Sequence, residues 1–328
     1  MLIRVVGRKA WLAAGTASAL VSRMAAAPVL TLYLPEGILD QAREGQHNFF
    51  NRVSSAVQSR GWSVRHRPDS LAERLLAAAN PGYGLSLMEE PPPGRGLVCR
   101  YTYVGAFWHI EQSPRRWEWP VALAEFDPAS IDPVEARAFA DRWRRRLFKN
   151  AADAPRRKGF VFVPLQGMLL EHRSFQSTSP IEMLEYVLDE MPDRPVLATL
   201  HPKEVYTPTE LQALDGLVAR YPRLKVATGG AIEALANCDL VVTQNSAVAF
   251  NGYFFGKPAV LFARVDFHHI AASVPHMGVA AAFRAARNAA PDYDRYLKWF
   301  LADNAIAAGS PQAEEQIRAA LARGGWQI

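Results

Sequence analysis

Only two cysteines occur in 328 residues, Cys99 and Cys238, far apart and with neither a Cys-x-x-Cys nor a companion histidine spacing. That scarcity argues against a disulfide framework and a zinc site, and makes a reducing cytoplasm the easier reading. No run of 18 apolar residues occurs, which rules out a spanning helix on length. Also missing are Gly-x-x-x-x-Gly-Lys-Ser/Thr, Gly-x-Gly-x-x-Gly, Gly-x-Ser-x-Gly and His-Glu-x-x-His. P-loop NTPase, dinucleotide oxidoreductase, α/β-hydrolase and zincin readings therefore lose their usual support. Without a recognition motif or an aromatic-basic repeat, no nucleic-acid partner is expected.

What is present suits a globular protein, 49% hydrophobic and 21% charged, long enough for two α/β domains. The net charge of +5 is uneven, with Arg142, Arg144, Arg145, Arg146, Lys149, Arg156, Arg157 and Lys158 in one short stretch. That stretch reads either as a solvated helix end with a basic linker or as a contact for anionic lipid, a polyanionic acceptor or, ranked last, nucleic acid. At the amino terminus Arg4, Arg8 and Lys9 precede an apolar run at 11–21 and Ala25-Ala26-Ala27, the outline of a secretory signal. Gly15, Thr16 and Ser18 dilute that run and Arg23 follows it, so a mature amino-terminal helix is expected instead.

The segment 239–261, DLVVTQNSAVAFNGYFFGKPAVL, reads as strand, tight loop, helix, Gly-Lys-Pro turn and strand. Its loop Gln244-Asn245-Ser246 lies at the carboxyl end of the first strand. There the free N–H groups of a helix start, an Asn amide and a Ser hydroxyl offer a seat for phosphate or carboxylate. Ser246 is equally a plain N-cap. Upstream, PVLATLHP ends another strand in His201-Pro202. Strands at 196–200, 224–227 and 240–243 alternate with helices at 208–220 and 230–236, which puts His201 and Ser246 on one rim. Ligands of open α/β sheets bind outside that edge.

The amino-terminal half opens in the same manner, with strands from Val29 and at 63–66 and helices at 47–59 and 70–79. Further strands are expected at 83–88 and 97–103, around a break at Pro91-Pro92-Pro93-Gly94. The segment 107–120, FWHIEQSPRRWEWP, holds three of the eight tryptophans. It suits either a stacking platform for a sugar or another flat ligand, or a core-packed loop with wet charges. His109 and Glu111 alternate with apolar neighbours, so both are expected to point from one strand face toward a cleft. Either is a candidate general base, with Glu36 behind them. An amphipathic helix at 133–149 carries Phe139, Trp143 and Leu147 at i, i+4 and i+8. The domain boundary is placed after it, giving an amino-terminal α/β domain at 1–150 and a carboxyl-terminal α/β domain at 151–328. Helices are also expected near 180–190, 291–308 and 311–323, the last two packing back on the first domain.

Four motifs in order, VFVPLQ (161–166), HPK (201–203), VVTQNSAVAF (241–250) and FFGKPAVLF (254–262), resemble the bacterial capsule polysaccharide biosynthesis family. That family includes the transferases that place 3-deoxy-manno-octulosonic acid (Kdo) on a lipid acceptor. The resemblance covers about 159–272. It implies a GT-B fold, with two Rossmann-like domains whose mainly parallel sheets face a cleft and the donor held by the carboxyl-terminal one. It implies that His201, flanked by Pro202 and Lys203, and Ser246, with Gln244, Asn245 and Ala247, clamp the donor phosphate while Gln166 lines the cleft. This chain departs from the family at Ala247, Ala249 and Asn251, and at 263–271, where His268 and His269 either add contacts or cap the next helix. The donor, CMP-Kdo or another, therefore stays open.

The function so implied is a cytoplasmic glycosyltransferase of capsule, other surface-polysaccharide or glycolipid assembly, at the inner face of the membrane. Its partners would be a nucleotide-sugar and a saccharide or lipid-linked acceptor. No cofactor is expected, and no metal, because no Asp-x-Asp pair is read as a metal site. Two alternatives share these residues. One is a nucleotide-sugar 2-epimerase, which needs no acceptor; the other is a catalytically silent relative that binds polysaccharide or partner enzymes through the Trp-rich segment and the arginine cluster.

Overall fold

The computed structural model describes residues 27–149 and 155–328. The expected amino-terminal helix and the boundary residue 150 lie outside the described residues. The chain runs through β1 (Val29–Leu34), α1 (Glu36–Arg43), α2 (Asn48–Gln58), β2 (Ser63–Pro68), α3 (Leu71–Ala79), β3 (Gly82–Leu87), β4 (Gly94–Tyr101) and β5 (Phe107–Glu111). The short α4 (Pro120–Leu123) and the long α5 (Pro133–Phe148) lead out of this half. A second series follows with β6 (Val161–Pro164), α6 (Pro180–Glu190), β7 (Val196–Leu200), α7 (Pro208–Arg220), β8 (Leu224–Thr228), α8 (Ala231–Asn237), β9 (Leu240–Thr243), α9 (Ala247–Tyr253) and β10 (Ala259–Leu261). It ends in β11 (Ala272–Ser273), α10 (Val274–Met277), α11 (Val279–Arg287), α12 (Tyr293–Lys298), β12 (Ile306–Ala307) and α13 (Ala313–Arg323).

These strands make two six-stranded sheets, ordered β12-β5-β4-β3-β1-β2 and β11-β10-β9-β6-β7-β8. The second is parallel throughout. The first is parallel from β2 to β4, while β5 runs antiparallel to both β4 and β12. Helix starts follow local chemistry: Ser179 with Glu182 and Thr207 with Glu210 form capping boxes, each with Pro at the first helical position.

The β3–β4 connection joins two parallel strands through only six residues, 88–93, where a crossover helix is the usual device. An extended proline-rich segment rises about 3.1 Å per residue, close to the rise of a strand, so six residues suffice to run back along the sheet. The backbone of that segment lies against β4. A Cβ on Gly96 would come 1.8 Å from the Pro92 carbonyl oxygen, and one on Gly84 would come 2.4 Å from Pro92 Cγ. Ser86, on the same face, places its Oγ 3.1 Å from the Glu89 carbonyl. Gly84 and Gly96 are thus required by the close approach of Pro92, and Pro91–Pro92–Pro93 is a crossover and not merely a break.

Two expectations are corrected. The stretch 291–308 is not one helix: α12 passes into a π turn at Trp299–Asp303, Asn304 bonds back to the Trp299 carbonyl at 2.9 Å, and the chain then contributes β12 to the first sheet. On α5, Phe139 and Trp143 are buried but Leu147 is 38% exposed, and Phe148 instead completes the buried face against Phe254 and Phe255. The halves share one core, in which Phe107, Phe139 and Trp143 join Phe250, Phe254 and Phe300. Arg144 reinforces it, donating to the Phe254 carbonyl at 2.7 Å and to Asp294 at 3.1 Å.

Candidate functional site

In the second sheet β6 is central, and the chain moves outward through β7 and β8 before returning to β9 on the other side of β6. The switch point therefore lies between β6 and β9, where the loops leaving adjacent parallel strands part and leave a crevice. The loops beside it are Leu165-Gln166-Gly167 and Gln244-Asn245-Ser246. Thr243 Oγ1 donates to the Pro164 carbonyl at 3.0 Å, and Gln244 Nε2 to the Thr178 carbonyl at 3.0 Å, which fix both loops. Ser246 is the N-cap of α9, its Oγ accepting the Val248 N–H at 3.2 Å. Three amide oxygens here, Gln166 Oε1, Gln244 Oε1 and Asn245 Oδ1, are buried without a hydrogen-bond partner among the described residues. Turning an amide presents its NH₂ group where the oxygen stood, so the side chains of Gln166 and Asn245 offer either a donor or an acceptor to an incoming group.

His201 is the first residue beyond β7, exposed, on the other side of β6 from Ser246. Two strand spacings separate them, roughly 10 Å, with Gln166 in between. Its Nδ1 accepts the Lys203 N–H at 3.2 Å and its own N–H is donated to Tyr206 Oη at 2.8 Å. A neutral imidazole that accepts at Nδ1 carries its proton on Nε2, so the free edge of His201 is a donor. Sequence reading missed Glu204, whose carboxylate lies so close to Gly167 that a Cβ there would meet Oε2 at 2.4 Å. It missed as well that Asp292-Tyr293-Asp294 is an Asp-x-Asp triplet. Both carboxylates are occupied, Asp292 by the Arg295 N–H and guanidinium and Asp294 by Arg144.

The other expected residues divide. His109 and Glu111 do share a face of β5, His109 Nδ1 lying 3.6 Å from Glu111 Oε1. Instead of facing an open cleft both are buried, at 3% and 9% exposure, with His109 against Trp119 and Phe300. Glu111 lies opposite Val98, midway along β4, and borders a cavity of about 530 Å³ with Ser113, Arg323 and Gly324. Glu36 opens α1 directly beyond β1, exposed at the carboxyl edge of the first sheet. Beside it a cavity of about 840 Å³ is lined by Pro35, His47, Asp69, Arg74, Met88 and Trp108, among others. Burial lowers the pKa of His47, the N-cap of α2.

The aromatic segment chiefly joins the two halves. Trp108 is buried and stacks on Phe49 with ring centroids 4.0 Å apart; Trp119 is buried and its Nε1 donates to the Ser113 carbonyl at 2.7 Å. Trp117 lies under the Arg264 guanidinium and beside Phe175 of the second half. Tyr103 donates to the buried Asp266 and accepts from Arg116, and burial raises the Tyr103 pKa well above its ordinary value. His268 and His269 stack on each other; their Nδ1 atoms meet the Val265 carbonyl and Tyr296 Oη, so neither caps a helix. Burial first, and then His268, depress the pKa of His269 to about 4.

No protein-family model matches the chain, and no curated protein does. Among solved structures it is similar to the beta-Kdo 2,7 transferase of Thermosulfurimonas dismutans KpsC, at 14% identity and a TM-score of 0.52, over 91% of this chain and 100% of that one. The beta-Kdo 2,4 transferase of the same KpsC gives 13% identity and a TM-score of 0.43, over 82% of this chain and 88% of that one. UDP-GlcNAc 2-epimerase from Neisseria meningitidis, solved with UDP-GlcNAc bound, gives 9% and 0.33, over 90% of this chain and 100% of that one. The first likeness is one of fold. The chain is an α/β protein with the two mainly parallel sheets of the GT-B architecture.

Proposed function

We propose that the chain is a glycosyltransferase that holds a nucleotide-sugar at the switch point of the second sheet and transfers the sugar to a saccharide or lipid-linked acceptor at the first. The observation that carries this reading is the set of three unpartnered buried amide oxygens, on Gln166, Gln244 and Asn245, at the place where an open parallel sheet takes its ligand. His201 Nε2 and the Ala247 N–H, which has no partner among the described residues while those of Val248 and Ala249 bond to Ser246, supply donors on either side. As the bond to the nucleotide breaks, charge grows on the departing phosphate, and donors already in place stabilise it, by about 3–4 kcal/mol for one well-placed group. In this reading Pro202 and Lys203 hold the His201 turn and no metal takes part.

The acceptor hydroxyl loses its proton to a carboxylate at the carboxyl edge of the first sheet, for which Glu36 is better placed than the buried Glu111. Capsule or related surface-glycan assembly, with Kdo as one candidate sugar, is the pathway class that the four sequence motifs favour. A role at the inner membrane surface rests on the exposed Arg145, Lys149, Arg156, Arg157 and Lys158. No helix among the described residues is long and apolar enough to cross a membrane.

The test is a turnover panel of CMP-, UDP- and GDP-sugars, with and without a mixed bacterial lipid-glycan acceptor fraction, read by mass spectrometry of both sugar and nucleotide. A transferase releases nucleotide and extends an acceptor only when both substrates are present. Inversion at C2 of the sugar without any acceptor would establish the epimerase instead. No turnover of any donor, in a sample that still binds polysaccharide, would establish the silent binding relative.

A further inference from the structure

The carboxyl edge of the first sheet carries more than one cavity. Beyond β1 to β3 lies the space of about 840 Å³ described above, and beyond β5 and β12, between the α1–α2 turn and α5, lies another of about 750 Å³. The two share His47, Gly105 and Trp108, so a single trough follows the edge. Six strands at about 4.8 Å spacing give it a length on the order of 24 Å, enough for several sugar rings in a row.

Its ends differ in charge. At the far end Arg142 and Arg146 stand one turn apart on α5, with guanidinium carbons 5.5 Å from the Phe139 ring centre and 5.0 Å from that of Trp143. A guanidinium laid on a ring keeps its N–H edge free for an oxyanion. Neither has a carboxylate partner among the described residues, whereas Arg144 on the same helix is fully engaged. Like charges at i and i+4 repel, and an anion bridging them removes that repulsion. Across the trough Gln316 Oε1 is buried without a partner among the described residues, a site for a ligand hydroxyl. At the near end Arg74 also lines the wall but is paired with Asp69 at 2.8 Å, which leaves Glu89 as the carboxylate there without a cation partner among the described residues, so a polyanion charged along its whole length is disfavoured there while hydroxyls are not.

We infer that the trough binds an extended saccharide carrying an acidic group at one end, its carboxylate bridging Arg142 and Arg146 and its hydroxyl-rich end reaching the Asp69–Glu89 wall. This deepens the acceptor half of the reading above and rests on it. The probes are maltotetraose and cellotetraose, each compared by calorimetry with its aldonate, in which the reducing-end sugar is ring-opened and carries a carboxylate, so dependence on the two arginines is what assigns the difference to that charge. At least one aldonate should bind at least tenfold tighter than its parent. Arg142→Gln with Arg146→Gln should erase that difference, while Arg156→Gln with Arg157→Gln, outside the trough, should leave it. Equal binding of every pair, a preference that survives the first double variant, or one lost equally in the second would overturn the inference. Nucleotide binding measured on the same samples separates the two readings. If the wild type binds no nucleotide yet keeps the Arg142–Arg146-dependent preference, the donor seat falls and the trough stands.

Discussion

With its Nδ1 occupied by the Lys203 N–H, His201 has one free edge, and that edge donates. A hydrogen bond to a charged phosphate contributes about 1.5–3 kcal/mol, so His201→Ala should weaken nucleotide binding roughly 10- to 100-fold by calorimetry. Because His201 is exposed, the melting temperature of the free protein should hardly move. Unchanged affinity would remove His201 from the site. His269 is the opposite kind of residue, half-buried against Tyr296 and protonated only near pH 4 in the folded chain, against 6.5 when free. Between those values the unfolded chain binds more protons, so stability falls as pH drops from about 6.5 toward 4. His269→Gln should make that fall shallower in thermal melts; an identical slope would show that His269 is not among the groups responsible. At this scale the positions of Gln166, His201 and Ser246 were legible because each lies within three residues of the end of a strand, and strand ends mark the rim. The unpartnered state of the amides was not, since it depends on which backbone groups the fold brings within reach.

The β3–β4 crossover shows what a short element demands. Gly96→Val would drive side-chain atoms into the Pro92 carbonyl, and the cost should exceed the few kcal/mol of ordinary overpacking, leaving the first domain unable to form its β3–β4 pair. Gly216→Ala, in the exposed interior of α7 with nothing within 4 Å of a new Cβ, should instead stabilise by about 0.5–1 kcal/mol in urea titrations. If the two behaved alike, the close crossover would be wrong. On α5, Arg144→Met strands Asp294, whose pKa burial already raises, and should cost about 1–3 kcal/mol. Most elements were readable from periodicity and caps. The exception, 291–308, failed because the apolar face of DYDRYLKWFL continues into the π turn, and nothing local announces that Ile306 and Ala307 pair with Trp108 and Phe107 two hundred residues earlier in the chain.

For the whole molecule, the fold joins its halves through a shared aromatic core, the Asp266–Tyr103–Arg116 contact and a strand that the last part of the chain lends to the first sheet. The carboxyl edge of the second sheet was inferable by counting alternating elements, whereas the trough on the first is assembled from segments near 41–49, 105–108, 139–146 and 302–316, too scattered for pattern reading. The arginine stretch that looked like one basic patch is three things: Arg144 joins the halves, Arg142 and Arg146 line the trough, and the rest face solvent. The central claim is that the crevice between β6 and β9 seats a nucleotide. Calorimetric titration of CMP, UDP and GDP into the wild type and into a Gln166→Ala, Asn245→Ala double variant tests it most directly. One nucleotide should bind the wild type, with affinity at least tenfold lower in the variant while folding stays intact; equal affinity in both proteins, or no binding of any nucleotide to the wild type, would rule the seat out.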